Sequence, residues 1–591
     1  MERTNPKARD LSLQQSQDVA LSYDFEHYAK LHSPAIDKAR ASIEIGSFEI
    51  AYNQLKQLEA DEIIATQLGQ LQQNIYNCIE SINNIFLIES IEDLRQDVMH
   101  YRQQPHKNGA AILGLCIKLI RFKYHDSEDA FSLQQIAQDE FLLDCLANDY
   151  YPDVDIERFL TDIRRQLLLS SVKDLEINET YLPLYQTVAL QGYLTDYAFY
   201  IRDDEQEVVN SLNDELGNIL SASECSLEDI ANIMLLISMY QPLVSTNAHP
   251  ALQGLQSEQL PDYLQDIFSL TYLEPLDLES KATKVIALGK VNDASKHVQD
   301  QYEESPYPRY SRVNYSPTPV NYRARSPHLK DSSINLDVLD SMPLEILVAG
   351  CGTGFHPIQI AKSCEHANVT AIDISRKSLA YAQRLKGAYD ANNLQIFQAD
   401  ILELVQIFNA KKQRFHVIEC LGVLHHLKDT NAGLAALVDL LVPGGVLNLG
   451  LYSSIARGSI THIRKLNEKV GMQASDTNIR QFRRQLVDQC NNEELKQLFY
   501  SQDFFNLNGC RDLLFNSQET CFTIPEIAAL LERANLEFLG FNFENGEAEQ
   551  HYRMMFPAEK TLRNLEYWHQ LEVQHPQTFN KMYRFHCQKP I

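Results

Sequence analysis

The chain has 591 residues, is 44% hydrophobic and 22% charged, and carries a formal net charge of −27. That is enough for two to four domains with real cores, and the acid excess speaks against sequence-independent nucleic-acid binding, which needs Lys and Arg against phosphates. No apolar run approaches the ~20 residues that cross a bilayer. The opening MERTNPKARDLSLQQSQDVA has basic residues but no apolar core behind them, so it does not read as a secretory signal. The eleven cysteines are scattered without a CxxC pair. They read as reduced thiols of a cytoplasmic protein rather than as disulfides or a metal site.

From about residue 11 to about 290 the spacing predicts helices. In IERFLTDIRRQLLLSSV, Ile156, Phe159, Leu160, Ile163 and Leu167 share one face. EDIANIMLLISMYQPL is a second such segment, closed by Pro242. ARASIEIGSFEIAYNQLKQLEAD places Gly46 at a turn, then an aromatic residue, then Ala51, like the centre of one tetratricopeptide repeat. No second copy stands at the repeat period, so an ordinary helix pair is an equal reading. Residues 1–295 are therefore expected to form a helical, tetratricopeptide-like domain that docks a protein partner or packs on a catalytic domain.

Near residue 301 the composition turns to Pro, Tyr, Ser and Arg, in QYEESPYPRYSRVNYSPTPVNYRARSPHLK. Prolines disfavour helix there, and so many tyrosines suit an ordered strap, 296–333, better than a plain linker. From 334 the rhythm is strand, turn, helix: PLEILVAG, PIQIAKSCEH, NVTAIDIS, RKSLAYAQRLKGAYDANN, LQIFQADI, FHVIECLG, GLAALVDLL, PGG and VLNLGLYS. Alternation of this kind implies a mostly parallel sheet with helical crossovers. The expected layout is an α/β domain over 334–455, a helical insertion over 456–521 that serves as a substrate lid, and a return to the α/β domain over 522–591. TIPEIAALLERAN, LEFLGFNF and MYRFHCQK then complete the sheet.

The first strand ends in LVAGCGTGF, with Gly350, Gly352 and Gly354 spaced G-x-G-x-G. The dinucleotide fingerprint needs a third glycine where Phe355 stands, and no Gly-Lys-Ser/Thr follows for a P-loop. The spacing suits a nucleoside without phosphates, such as S-adenosylmethionine (SAM). Asp373 ends the next strand, where a ribose acceptor belongs, and Asp400 ends the third, beside the adenine amino group. A fourth strand ends at Glu419-Cys420-Leu421, followed by VLHHL and then PGG. Over Leu344–Ser453 this order of motifs resembles the class I SAM-dependent methyltransferases. The resemblance implies a Rossmann-like, seven-stranded, mostly parallel sheet. It also implies a SAM site at Gly350, Cys351, Gly352, Thr353, Gly354, Asp373, Ile374, Ala399, Asp400, Ile401, Cys420 and Leu421, closed by Tyr302 and Arg309 of the strap. Residues 130–591 are similar to a narrower group of bacterial proteins that join tetratricopeptide-type helices to this domain, in QYEESPYPRY, GLYSSIAR, CRDLLFNSQE, FTIPEIAALL and FNKMYRFHCQK. The chain departs from the family at Ala349 and His416, where acids are usual. It also lacks the histidines that the narrower group implies near Asn516 and Thr520.

Methyl transfer from a sulfonium needs orientation and a dry pocket more than protein chemistry. Glu419 is expected to hold a substrate amine or guanidinium, or to replace the acid missing at Ala349; otherwise it is a solvent-facing strand end. His425 and His426 are candidates for a base near neutral pH, or else ring caps of a turn. Tyr452 is expected to line the substrate side or the core. Glu303 and Glu304 belong to the strap that closes on binding, and Arg511 is expected to pair with an acid. The acceptor is a small molecule, with a protein or peptide docked by the helices, or a non-catalytic scaffold, as the other readings.

Overall fold

The computed structural model describes residues 38–59, 75–104, 109–127 and 130–591, apart from residue 40 and the short stretches 174, 222–226, 311–312, 317, 326–328, 330–333, 491, 493–494, 517 and 544–545. The expected helix starting near residue 11 lies outside the described residues until Lys38. The chain divides into two compact units, 1–145 and 146–591. The expected border at 295 thus falls inside the second unit, which holds the later helices together with the sheet.

The first unit contains the helices Phe48–Glu59, Ile91–Gln103, Leu113–Tyr124 and Leu133–Ala137. Gly46 takes φ +76° in the turn before Phe48, and Ala51 is fully buried, as a tight helix pair requires. Asp139 is a polar centre of this unit. It pairs with Arg95, lies 2.7 Å from Lys123 Nζ, and accepts the Tyr124 hydroxyl at 2.6 Å.

In the second unit, the helices Val154–Ser171, Leu182–Leu194, Asp203–Ser221 and Leu227–Ser238 precede the sheet. Asp153 caps the first of them by accepting the N–H groups of Asp155 and Ile156. The sheet has seven strands: β1 (Leu344–Ala349), β2 (Ala367–Asp373), β3 (Leu394–Gln398), β4 (Phe415–Leu421), β5 (Leu441–Leu451), β6 (Glu537–Phe541) and β7 (Tyr583–Gln588). Their order is β3-β2-β1-β4-β5-β7-β6, with β7 antiparallel to its two neighbours and the rest parallel. The α/β expectation holds, and PGG is absorbed into the long β5 instead of standing apart as a turn. The strand order reverses between β1 and β4, which leaves a crevice at their C-terminal ends. The segment around Ala287 bridges the outer edge of β3 at Gln398, and covering a sheet edge removes a template for aggregation.

The insertion is a packed helical layer. Ile460, Ile463, Ile479, Leu486, Leu498, Phe504, Phe505 and Leu513 form a core with Ala198. Arg483, 1% exposed, binds both oxygens of Glu157 at 3.3 and 2.7 Å and donates to the carbonyls of Ala198 and Phe504. A buried ion pair of this kind fixes one arrangement, because removing one partner strands a buried charge. We expect Glu157→Leu to lower unfolding free energy by about 3 kcal/mol, and Glu157→Leu with Arg483→Met to recover most of that loss, as read by urea denaturation.

Candidate functional site

The crevice is built from the turn after β1. Gly350, Gly352 and Gly354 have φ values of +75°, +52° and +101°. A Cβ on Gly350 would lie 2.2 Å from the Val423 side chain, and one on Gly354 2.6 Å from Cα of Ala382. These two glycines let the turn press against the chain after β4 and against the helix Arg376–Ala388. Gly352 faces more open space, its nearest neighbour being the Tyr307 carbonyl oxygen at 3.7 Å.

The turn is tied to the end of β2. Asp373 Oδ2 accepts the Gly352 N–H at 2.8 Å, and Oδ1 accepts that of Ser375 at 2.9 Å. Burial raises the Asp373 pKa, while the N–H groups of Ser375, Gly352 and Ile374 draw it back. The residue is half-buried, and each oxygen keeps a lone pair for a further donor. Cys351 N–H donates to the Ile372 carbonyl and Ala399 N–H to that of Asp373, both near 3 Å. The ends of three strands therefore meet there, with Ile374, Ile401 and Leu421 beside them. This cradle fits SAM: a small-residue turn and a partly open carboxylate at the strand-order reversal, without a third glycine for pyrophosphate.

Four cofactor residues are placed otherwise. Asp400 is 2% exposed, and its oxygens accept the N–H groups of Leu402 and Asn292 at 2.9 and 3.0 Å. It is a cap and a tether rather than an adenine acceptor. Arg309 turns from the glycine turn to pair with Asp196 and donate to the Tyr193 carbonyl at 3.2 Å. Thr353 donates its hydroxyl to the Pro308 carbonyl, which clamps the strap onto the turn. Cys420 is fully buried in the core on the far side of β4.

A second group of side chains converges beside the turn. Tyr302, in the helix Lys296–Glu304, donates to Asp512 Oδ1 at 2.7 Å, and its oxygen lies 3.4 Å from His426 Nε2. Asn516 and Gln301 also donate to that same Oδ1, at 2.8 and 3.4 Å. Asp512 Oδ2 has no bonding partner among the described residues. Tyr307 donates to Asp503, whose pKa is raised by burial and by Asp512. Tyr452 packs its ring 4.0 Å from that of His425 and beneath Arg457 at 3.6 Å. Arg457 and Arg464 share the single carboxylate of Glu519, at 3.4 and 2.6 Å. Glu303 accepts the N–H groups of Arg376 and Lys377, so it caps the helix after β2.

Two catalytic expectations are corrected. Glu419 is 2% exposed and accepts from Tyr322, from Asn448 Nδ2 at 2.6 Å and from His356 Nε2 at 3.1 Å. Its burial on β4 and these three donors leave its oxygens no room for a substrate amine. His425 is fully buried. His426 Nδ1 donates to the Gln518 carbonyl at 2.9 Å, so its Nε2 accepts, and His425 Nε2–H is the donor 3.1 Å away. Burial, His426, Arg457 and Arg464 hold the His425 pKa well below 6.5. It is a neutral positioning residue behind Tyr452. Arg511 pairs with Asp476 at 2.5 Å, as expected. Sequence reasoning missed Asp503 and Asp512. The signal for Asp512 lay one residue beyond Arg511, in CRDLLF.

The sheet order and the glycine-turn crevice have the form of a class I methyltransferase domain. Residues 347–447 match the model of a family described as a methyltransferase domain. An uncharacterised protein of Synechococcus sp. is 39% identical over 128 residues, 22% of this chain and 29% of that one. The malonyl-[acyl-carrier protein] O-methyltransferase of Halalkalibacterium halodurans is 31% identical over 105 residues, 18% of this chain and 38% of that one. The chain thus spans about a third of the length of these relatives. Among solved structures, PKMT2 of Rickettsia typhi covers 47% of this chain and 54% of its own, at 14% identity and a TM-score of 0.32.

Burial raises the Glu419 pKa, but His356, Tyr322 and His586 outweigh it and hold the carboxyl down to about 2. A depressed folded pKa adds stability above the unfolded value of about 4.3, lost as pH falls toward 2. We expect Glu419→Gln to be less stable than the parent at pH 7 and the gap to close between about pH 4 and 2, as read by urea midpoints.

Proposed function

We propose that this chain is a methyltransferase that binds SAM at the β1 turn and methylates a small acceptor carrying an N–H or O–H group. The observation that carries this reading is the carboxylate of Asp373. It is bonded to Gly352 N–H yet only partly buried at the strand-order reversal, and it lies beside a second wall whose Asp512 Oδ2 has no bonding partner among the described residues.

Asp373 would accept from the ribose hydroxyls, and the backbone of Gly350–Gly354 would run along the methionine part. The backbones of Ala399 and Ile401 would flank the adenine in place of Asp400. Bound SAM supplies a methyl already activated on sulfur, so the chain's task is placement. Asp512 Oδ2 would take the acceptor's N–H or O–H, while Tyr302, Asn516 and Gln301 hold Oδ1 and fix the carboxylate's plane. Burial, then Asp512, raise the Tyr302 pKa, so it stays a neutral hydroxyl and orients without competing as a nucleophile. His425 would hold Tyr452 against the acceptor from behind. The clamp of Pro308 on Thr353 and the packing of Tyr310 on Phe355 at 4.5 Å would keep water from the sulfonium.

The reading is tested by calorimetry with SAM. Asp373→Ala should weaken SAM binding by about tenfold to a hundredfold; an unchanged affinity in a folded variant refutes the cofactor site. With methyl-labelled SAM and a host lysate, label should enter a small organic fraction. Label confined to protein would make the acceptor a protein, and label in neither would make the domain a scaffold. Asp512→Asn should leave SAM affinity within about twofold and cut label transfer by about a hundredfold, as loss of a catalytic proton or hydrogen-bond acceptor does. Equal transfer by this variant would remove Asp512 from the acceptor site.

A further inference from the structure

The second unit holds a cavity of about 450 Å³ away from the glycine turn, within the size range of small-molecule sites. Four tyrosines form much of its wall, Tyr193, Tyr197, Tyr240 and Tyr381, and two guanidiniums reach it, Arg309 and Arg480. Asp196 and Tyr197 take φ values of +53° and +60° in succession. Two adjacent non-glycine residues in the left-handed region are strained, and such strain gathers where a site holds a shape. Gly192 makes room for it, since a Cβ there would lie 2.9 Å from the Tyr197 ring. The Tyr197 hydroxyl is buried and has no hydrogen-bond partner.

Charge accounting selects the ligand. Three carboxylates border the cavity. Asp196 is taken by Arg309 and Asp476 by Arg511, while Glu304 is exposed. The tyrosine faces are occupied as well: Arg309 lies 5.0 Å from the Tyr193 ring, Arg164 4.2 Å from Tyr240 and Arg384 5.6 Å from Tyr381. Although neither Asp196 oxygen has a hydrogen-bond partner among the described residues, the Arg309 guanidinium lies against it, so a ligand cation would find no buried acid without a guanidinium beside it, nor a set of open ring faces. Arg480 differs. Its Nε donates to the Tyr197 carbonyl at 2.7 Å, but the carboxylate oxygen nearest its Nη2, on Asp476, is 4.0 Å away. Its η nitrogens make no hydrogen bond among the described residues, although the side chain is only 17% exposed. Burial lowers its pKa, Asp476 opposes, and Arg164, Arg483 and Arg511 lower it further. A part-buried guanidinium with free donors and cationic neighbours attracts an anion, and a carboxylate matches its fork.

We propose that this cavity is a second binding site for a small organic carboxylate with an aromatic body. The carboxylate lies on the η nitrogens of Arg480, and the ring lies against Tyr197 and the prolines Pro242, Pro275 and Pro306, which also line the cavity. The strap joins this site to the first. Glu304, Pro306 and Arg309 form part of the cavity wall. The neighbouring residues Tyr302, Glu303, Tyr307 and Pro308 bond to Ser375, Asp512, Arg376, Asp503 and Thr353 around the crevice. A ligand that orders one side of the strap therefore orders the other, and by linkage it changes SAM affinity. This coupling, unlike the cavity site itself, rests on the SAM reading given above.

The test is calorimetry of the full chain without SAM, using 4-hydroxyphenylacetate as the probe and tyramine as its cationic counterpart. Saturable binding of 4-hydroxyphenylacetate is expected, with none for tyramine. Arg480→Gln should weaken it about tenfold or more, the loss expected for a charge-assisted contact. Ser245→Trp, an exposed substitution at the cavity wall, should block it while leaving the melting temperature near that of the parent. Absence of saturable binding at millimolar probe, equal binding of tyramine, or an affinity unaffected in both variants would overturn the site. SAM titrations with and without saturating probe then read the coupling. Equal SAM affinities in the two titrations would overturn the coupling alone, whereas failure of SAM to bind without probe would refute the cofactor site and leave the cavity result standing.

Discussion

One hydrogen bond organises the crevice: the Gly352 N–H to the Asp373 carboxylate, joining the turn after β1 to the end of β2. It closes a turn that three positive-φ glycines make tight enough to lie on Val423 and Ala382. Because the strand order reverses between β1 and β4, the chain after β4 leaves on the other side of that turn. The turn meets that chain at Val423, and the half-buried acid stands at the C-terminal end of β2 beside it. Side chains in place of Gly350 or Gly354 would force the turn away from the sheet, and the acid would lose its anchor.

Within the second unit, the strap and the insertion are arranged around that turn. The helix Lys296–Glu304 and the strap after it lie across the turn through Thr353 and Pro308, Tyr310 and Phe355, and Glu303 and the start of the helix Arg376–Ala388. The insertion supplies Asp503 and Asp512, held by the strap tyrosines Tyr307 and Tyr302. Its own position depends on Arg483 and Glu157, a contact between residues 326 positions apart. A layer anchored by a buried ion pair and a shared apolar core is a fixed wall more than a mobile lid. The same layer carries Asp476 and Arg480 to the second cavity, so one rigid element borders both.

The sheet was legible because its signals are local. Val, Ile and Leu runs such as LEILVA and FHVIECL, broken by glycine or Asn-Asn, read as parallel strands, and helices such as Ile524–Arg533 announce themselves by a Thr-Ile-Pro-Glu capping box. Gly350, Gly352, Gly354 and Asp373 were legible for the same reason, since each role follows from its place at a strand end. Glu419 was misread by the same logic. Its strand position was right, but its side chain is buried and held by three partners, Tyr322, His356 and Asn448, which lie on other elements. Asp400 was misread because it is 2% exposed, enclosed by a segment more than a hundred residues earlier that also gives it the Asn292 N–H.

The sequence by itself determined the strand and helix succession, the glycine turn and the acid at the end of β2, because backbone conformation and apolar period are properties of neighbouring residues. The tertiary structure alone decided which carboxylates stay open: Asp373 and Asp512 do, Asp400 and Glu419 do not. A carboxylate's availability depends on which donors the fold brings within about 3 Å, and those donors come from segments that no local pattern links.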